Sequence, residues 1–246
     1  MHRFYLPPPD WNASSPALDP AESHHALDVL RLRVGDRLTV FDGAGGEAGA
    51  QIAAVDGRRA HLKILHQAKT QPLPCAITLA QAVPKGKNMD FIIQKSVELG
   101  AARVAPLLSD RTVVQLDPGE AGRKRDKWRE IALEACKQCG QNRLPEILSP
   151  QTPKAFLESA ERQDLLLIAS LQPDARTIKT VLSGHPRPAS VCVMVGPEGD
   201  FTPAELSLAK SHGFQPVTLG PIILRTETAA LYCLSVLAHE LFGRES

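Results

Sequence analysis

The sequence predicts an α/β protein in two parts, a small β-rich domain over residues 1–70 and a larger domain with a mainly parallel sheet over residues 74–246. Three observations carry this. Before residue 70, short strand-like runs are separated by hairpin turn signals. After the stiff segment Gln71-Pro72-Leu73-Pro74, strand and helix patterns alternate, as in a sheet with helices on both faces. Near the C-terminus, two apolar runs each end in a glycine-proline corner that leads into a helix.

In the first part, Arg37-Leu38-Thr39-Val40-Phe41, Ala48 to Val55 and Arg59 to Leu65 read as strands. The turns between them are Asp42-Gly43-Ala44-Gly45-Gly46 and Asp56-Gly57, and one short helix is expected around Glu22 to Leu32. A small antiparallel barrel or sheet fits this pattern. The second part begins with a strand at Ala76 to Val83 and a helix at Asn88 to Leu99 closed by Gly100. Arg103 to Leu108, a helix at 123–139, Asp164 to Ser170 and Asp174 to Leu182 follow. Val191 to Val195, Pro203 to His212, Gln215 to Leu219 and Thr226 to Phe242 complete the alternation. The run Gly43-Ala44-Gly45-Gly46-Glu47-Ala48 matches G-x-G-x-x-A, but a dinucleotide fingerprint needs a helix next, and another strand is expected there.

The first corner is Val195-Gly196-Pro197-Glu198-Gly199-Asp200-Phe201, and Thr202 and Glu205 after it have capping-box spacing with Pro203 at the first helical position. The second is Leu219-Gly220-Pro221-Ile222-Ile223-Leu224-Arg225-Thr226. Glycine lets a ligand approach the backbone, and proline holds the turn without a donor. Two such corners at the ends of neighbouring strands would line a small-molecule pocket with main-chain groups.

Bulk properties narrow the partners. The 246 residues carry a net charge of +1, so an RNA partner requires a local basic face rather than a basic protein. Aromatics make up 4%, which argues against a stacking platform for single strands. No apolar run approaches the ~20 residues of a membrane span, and Met1 to Pro7 lacks a signal-peptide core, so a cytoplasmic protein is expected. Five cysteines make no disulfide framework. Cys136 and Cys139 form a C-x-x-C near the C-terminal end of a helix, without a second ligand pair, and no metal site is expected.

The runs Met194 to Leu206 and Leu219 to Leu231 resemble the signature segments of the RsmE family. The likeness extends through Lys85-Gly86, Gln94 to Gly100, Asn142 to Ile147 and the segment from His24-His25 to Asp36, nearly the whole chain. Ile222 and Gln141 stand where the family usually has arginines. The resemblance implies a SPOUT trefoil-knot methyltransferase domain behind a PUA-like RNA-binding domain, acting as a homodimer. It implies S-adenosylmethionine as cofactor and N3 of a uridine in 16S ribosomal RNA as target. The implied cofactor residues are Leu171, Val195, Gly196, Pro197, Glu198, Gly199, Leu219, Gly220, Ile222, Leu224 and Thr228. Main-chain groups near Leu219, Ile222 and Leu224 would take the adenine. A SPOUT enzyme for another RNA position, or a catalytically idle RNA-binding assembly factor, are the alternatives.

Uracil N3–H is weakly acidic, so the reaction requires a proton acceptor and a cation or N–H donor for charge developing on the flanking carbonyl oxygens. Arg225 is the candidate cation, with Glu198 or Glu227 as candidate base. Candidate phosphate contacts are Arg31, Arg33, Lys85, Lys87, Lys95, Arg123, Lys124 and Arg143, of which Arg123 and Lys124 are expected to open a helix.

Overall fold

The structure, a computed structural model, describes residues 2–11, 15–114, 116–159 and 161–243. They group into two compact units, residues 1–72 with 133–144, and residues 73–132 with 145–246. No helix among the described residues is long and apolar enough to cross a membrane.

The first unit is built on one four-stranded sheet in the order β1 (Arg3–Tyr5), β2 (Arg37–Phe41), β3 (Gly46–Asp56), β4 (Arg59–Lys69). The antiparallel meander β2–β3–β4 follows the expected runs, while β1 adds a parallel strand beside β2. Three residues are too few to display an alternation, which is why β1 has no signal in the sequence. The helix expected from Glu22 to Leu32 starts earlier and stops sooner. After α1 (Pro8–Trp11), α2 (Pro20–His24) is capped by Asp19, whose Oδ1 accepts from Glu22 N at 2.7 Å, and it continues as a π-helical stretch, His25–Val29. Arg31 then turns into the left-handed region at φ 58° and ends it. Phe4, Leu18, Leu38, Val40, Ile52 and Leu62 form this unit's core.

The glycine run of 43–48 spans the turn after β2 and the first residues of β3, with no helix after it. Asp42 Oδ1 accepts from Ala44 N at 2.7 Å and Gly46 N at 2.8 Å, closing the turn around itself. A segment far away in sequence completes the unit. Asn142 donates to Thr70 Oγ1 (2.8 Å) and Glu47 Oε2 (3.1 Å), and accepts from Arg3 Nη2 at 2.5 Å. Its hydrogen bond from Arg3 Nη1 holds the Glu47 carboxyl below its ordinary range. Lys137 Nζ lies 2.5 Å from the buried Glu22 carboxylate and 2.6 Å from Glu134.

The second unit is a seven-stranded sheet, parallel throughout, in the order β7 (Glu146–Ile147), β6 (Ala101–Leu107), β5 (Ala76–Ala82), β10 (Ser190–Val195), β8 (Leu165–Ala169), β11 (Gln215–Thr218), β9 (Arg176–Thr177). The central strands β5 and β10 are almost continuously apolar and buried, the signature of a sheet covered on both faces. The helices of the remaining chain are α3 (Asn88–Glu98), α4 (Pro118–Cys139), α5 (Pro153–Ser159), α6 (Ile178–Leu182), α7 (Pro203–Ser211) and α8 (Thr226–Phe242). Ala80, Leu107, Ile168, Met194, Phe201 and Leu206 lie in one core cluster that α5 and α7 help to cover.

Two expectations are corrected here. The helix expected at 123–139 begins at Pro118, with Glu120 N donating to Asp117 Oδ1 (2.7 Å) and Asp117 N to Glu120 Oε2 (3.2 Å). Arg123 and Lys124 therefore sit more than a turn inside α4, away from the amide-rich helix end. The two glycine-proline corners are also not on neighbouring strands. They follow β10 and β11, and β8 lies between.

Candidate functional site

Strands β8, β10 and β11 end at Ala169, Val195 and Thr218, and the chain beyond each of them borders one cavity. This is the carboxyl edge of a parallel sheet, where α/β folds bind ligands. The cavity encloses about 550 Å³ including its open mouth. A second, larger cavity of about 920 Å³ lies elsewhere on the sheet, beside Thr78, Arg103 and Cys192. It contains none of the candidate catalytic, cofactor or phosphate-contact residues read from the sequence.

The first corner is heavily braced. Thr202 and Glu205 form a reciprocal capping box on α7, with Glu205 N donating to Thr202 Oγ1 (3.2 Å) and Thr202 N to Glu205 Oε2 (2.8 Å). The other Glu205 oxygen accepts from Asp110 N at 3.0 Å, and Arg111 Nη1 donates to the Gly199 carbonyl. Phe201 is buried in the core below. Behind the corner, the fully buried Gln81 donates through Nε2 to Thr226 Oγ1 (2.9 Å) and Ala82 O (2.8 Å), and Thr226 Oγ1 donates to Gly196 O at 2.7 Å. This relay joins the end of β5, the first corner and the start of α8. No local pattern could have revealed it, because Gln81 and Thr226 are 145 residues apart. A Cβ at Gly196 would lie 3.2 Å from both Asp200 Oδ1 and Phe201 N, so a larger residue there would crowd the corner against itself.

The second corner is sparse. Among the described residues, hydrogen bonding along Leu219–Leu224 is confined to Gly220, whose N donates to Thr218 Oγ1 (3.3 Å) and whose O accepts from it (3.4 Å). Gly220 has φ +118°, a conformation that L side chains rarely adopt. Ile222 and Ile223 are 74% and 76% exposed.

Of the expected cofactor residues, Leu171, Val195, Gly196, Pro197, Glu198, Leu219, Gly220, Ile222 and Leu224 come together around the cavity. Gly199 and Thr228 do not line it, while Ala169, Ser170, Asp200, Ile223 and Ala229 also do. Glu198 is at the rim, its Oε1 3.4 Å from Lys85 N. Arg225, exposed, is the N-cap of α8 directly after the lining residue Leu224. Glu227, partly buried in the first turn of α8, is not among the lining residues.

The basic residues divide by what already holds them. Arg31, Arg33, Lys85, Lys87 and Arg123 are exposed, and Lys124 is partly so. Lys95 is paired with Glu98 at 2.7 Å and sits over the Phe91 ring. Arg143 folds back onto its own unit, donating to Thr70 O at 3.1 Å and packing over Gly45. Burial pushes the Cys136 thiol up to about 12, which disfavours thiolate chemistry at the C-x-x-C. Among the described residues no group of His, Cys, Asp and Glu could hold a metal ion.

Comparison with known families defines the class as an RNA methyltransferase. The family model for an RNA methyltransferase domain matches residues 71–238, and that for the RNA methyltransferase PUA domain matches residues 18–65. The chain is 32% identical over 224 residues to ribosomal RNA small subunit methyltransferase E of Bacillus subtilis, covering 89% of this chain and 88% of that one. It is 35% identical to the enzyme of the same name from Synechocystis, over 95% and 76% of the two chains. This chain belongs to the ribosomal RNA small subunit methyltransferase E family. Its fold is similar to the crystal structure of such an enzyme from Neisseria gonorrhoeae bound to S-adenosyl methionine, with TM-score 0.87, 36% identity and 98% of each chain covered. A Legionella pneumophila methyltransferase in complex with SAM is similar at TM-score 0.88 and 35% identity, over 97% of each chain.

Proposed function

We propose that this protein uses S-adenosylmethionine to methylate N3 of a uridine in the 16S ribosomal RNA of the small subunit. The observation that carries the reading is the cavity between the two glycine-proline corners at the carboxyl edge of the sheet. Its residues fit the cofactor. Main-chain groups of Ile222, Ile223 and Leu224 are free to pair with a base edge, and Gly220 permits a corner that other residues would strain. Gly196, Pro197, Leu219, Ile222 and Leu224 would hold the cofactor, which supplies an electrophilic methyl group on a positively charged sulfur.

The remaining work falls to this chain's own groups. Glu198, at the cavity rim, is the better-situated candidate to take the N3 proton, ahead of Glu227. Arg225, beside Leu224, would stabilise the charge spread over the two uracil carbonyl oxygens once that proton has left. Arg31 and Arg33 in the PUA-like unit, with Lys85, Lys87, Arg123 and Lys124, would meet phosphates. The family resemblance adds a trefoil-knotted chain and a homodimer, and the sequence's lack of a long apolar run is the ground for expecting cytoplasmic action. The exposed Leu171, Ile222 and Ile223 at the cavity mouth support an apolar partner there.

Mass spectrometry of 16S ribosomal RNA from a deletion strain tests the reading. A single methyl group missing from N3 of one uridine, restored by the wild-type gene, is the expected result. An unchanged methylation map would exclude it.

A further inference from the structure

We propose that Asp200 makes this cavity read the charge of its ligand, holding a positively charged sulfonium donor more tightly than the neutral thioether product. The inference rests on the assignment of the cavity to S-adenosylmethionine. Among the described residues lining it, the two charged side chains, Glu198 and Asp200, are both carboxylates. Glu198 is exposed at the rim, where water screens it. Asp200 is half-buried in the wall and fixed there. Its Oδ1 accepts from Phe201 N at 2.7 Å, its own N donates to Pro197 O at 3.0 Å, and its backbone occupies the left-handed region at φ 62°.

That conformation is unfavourable for most L residues and tolerated best by glycine, asparagine and aspartate. A side chain held this way presents a preorganised charge, without the freedom to swing into solvent. The nearby cation, Arg111, has its guanidinium bonded to the Gly199 carbonyl. The buried lining residues Val195, Pro197 and Ala229 are apolar, which weakens local screening and strengthens the charge interaction.

Donor and product share the same adenosine and amino-acid parts, so Asp200 can discriminate between them through the sulfur. When the sulfur–methyl bond breaks, its electron pair stays on sulfur and the positive charge is lost. The methyl group passes to N3, and the N3 proton goes to the base. An aspartate that attracts the donor thus has no hold on the sulfur of the spent product, which favours product release.

Calorimetric titration of the full-length protein with S-adenosylmethionine and, separately, S-adenosylhomocysteine tests this in the wild type, Asp200→Asn and Asp200→Gly. Both replacements accept φ near +60°, so the corner keeps its shape. The expected result is a loss of donor affinity of roughly three- to tenfold in both variants, the scale of one partly screened charge pair, with product affinity nearly unchanged. Equal weakening of both ligands, or an unaltered ratio, would overturn the proposal. Failure of the wild-type protein to bind either ligand would instead remove the cofactor assignment, and this inference with it.

Discussion

Around the first glycine-proline corner, the protein supplies a capping box, a buried phenylalanine, an arginine on the Gly199 carbonyl and the Gln81–Thr226 relay. Around the second, it supplies two long hydrogen bonds between Thr218 and Gly220, and two isoleucines left in solvent. The sequences of the two corners are alike, but their supports are not. A braced corner keeps one shape whatever occupies the cavity. A sparse one has main-chain donors and acceptors to offer, and apolar side chains that gain by being covered. The cavity thus combines a rigid wall with a receptive one, and Arg225 stands where the receptive wall meets α8.

The largest effect is expected where that receptive wall meets the chemistry. Arg225→Ala should slow single-turnover methyl transfer by about 10²–10³-fold, as for loss of a preorganised charge stabiliser, with cofactor affinity little changed. An unaltered rate at saturating RNA would remove Arg225 from the chemical step. Next comes the brace itself. Thr226→Val leaves the Gly196 carbonyl without its buried donor, at a cost of about 1–3 kcal/mol read by denaturant unfolding. Thr226→Ser, which keeps the hydroxyl, should stay closer to wild type. Equal losses in the two variants would mean that packing, not the relay, holds the corner. The smallest effect sharpens the contrast from the other side. Ile223→Ser, on the exposed corner, should change stability by no more than about 0.5 kcal/mol. A loss as large as that of Thr226→Val would show the second corner to be as structural as the first.

Local chemistry explains what could be read from the chain. The capping box at Thr202 and Glu205, the closing Gly100 at φ 78° and the turn at Gly57 each act within a few residues, so their spacing announces them. The boundaries of α8, Thr226–Phe242, were equally legible from an uninterrupted apolar helix. Relations between distant residues left no such trace. β7, with two residues, is too short to show a period, and the seven-residue α5 spans too few turns to announce itself. Asn142 joins the N-terminal unit through Thr70, Glu47 and Arg3, three partners scattered over the first 70 residues. Asp200 was visible as a letter in the first corner, but its place in the cavity wall depends on a left-handed backbone that only the structure displays. The order of strands, with β8 between the two corners, is likewise a property of the whole sheet.

Hydrogen exchange with and without S-adenosylmethionine tests most directly whether the cavity between these two corners is the cofactor site. Amides already bonded in the free protein have little protection to gain, whereas unbonded ones do. The expected result is a large gain in protection at Ile222, Ile223 and Leu224, with a smaller gain from Gly199 to Phe201. Protection centred instead on the second cavity, beside Arg103 and Gln163, or no local protection at saturating cofactor, would contradict the assignment.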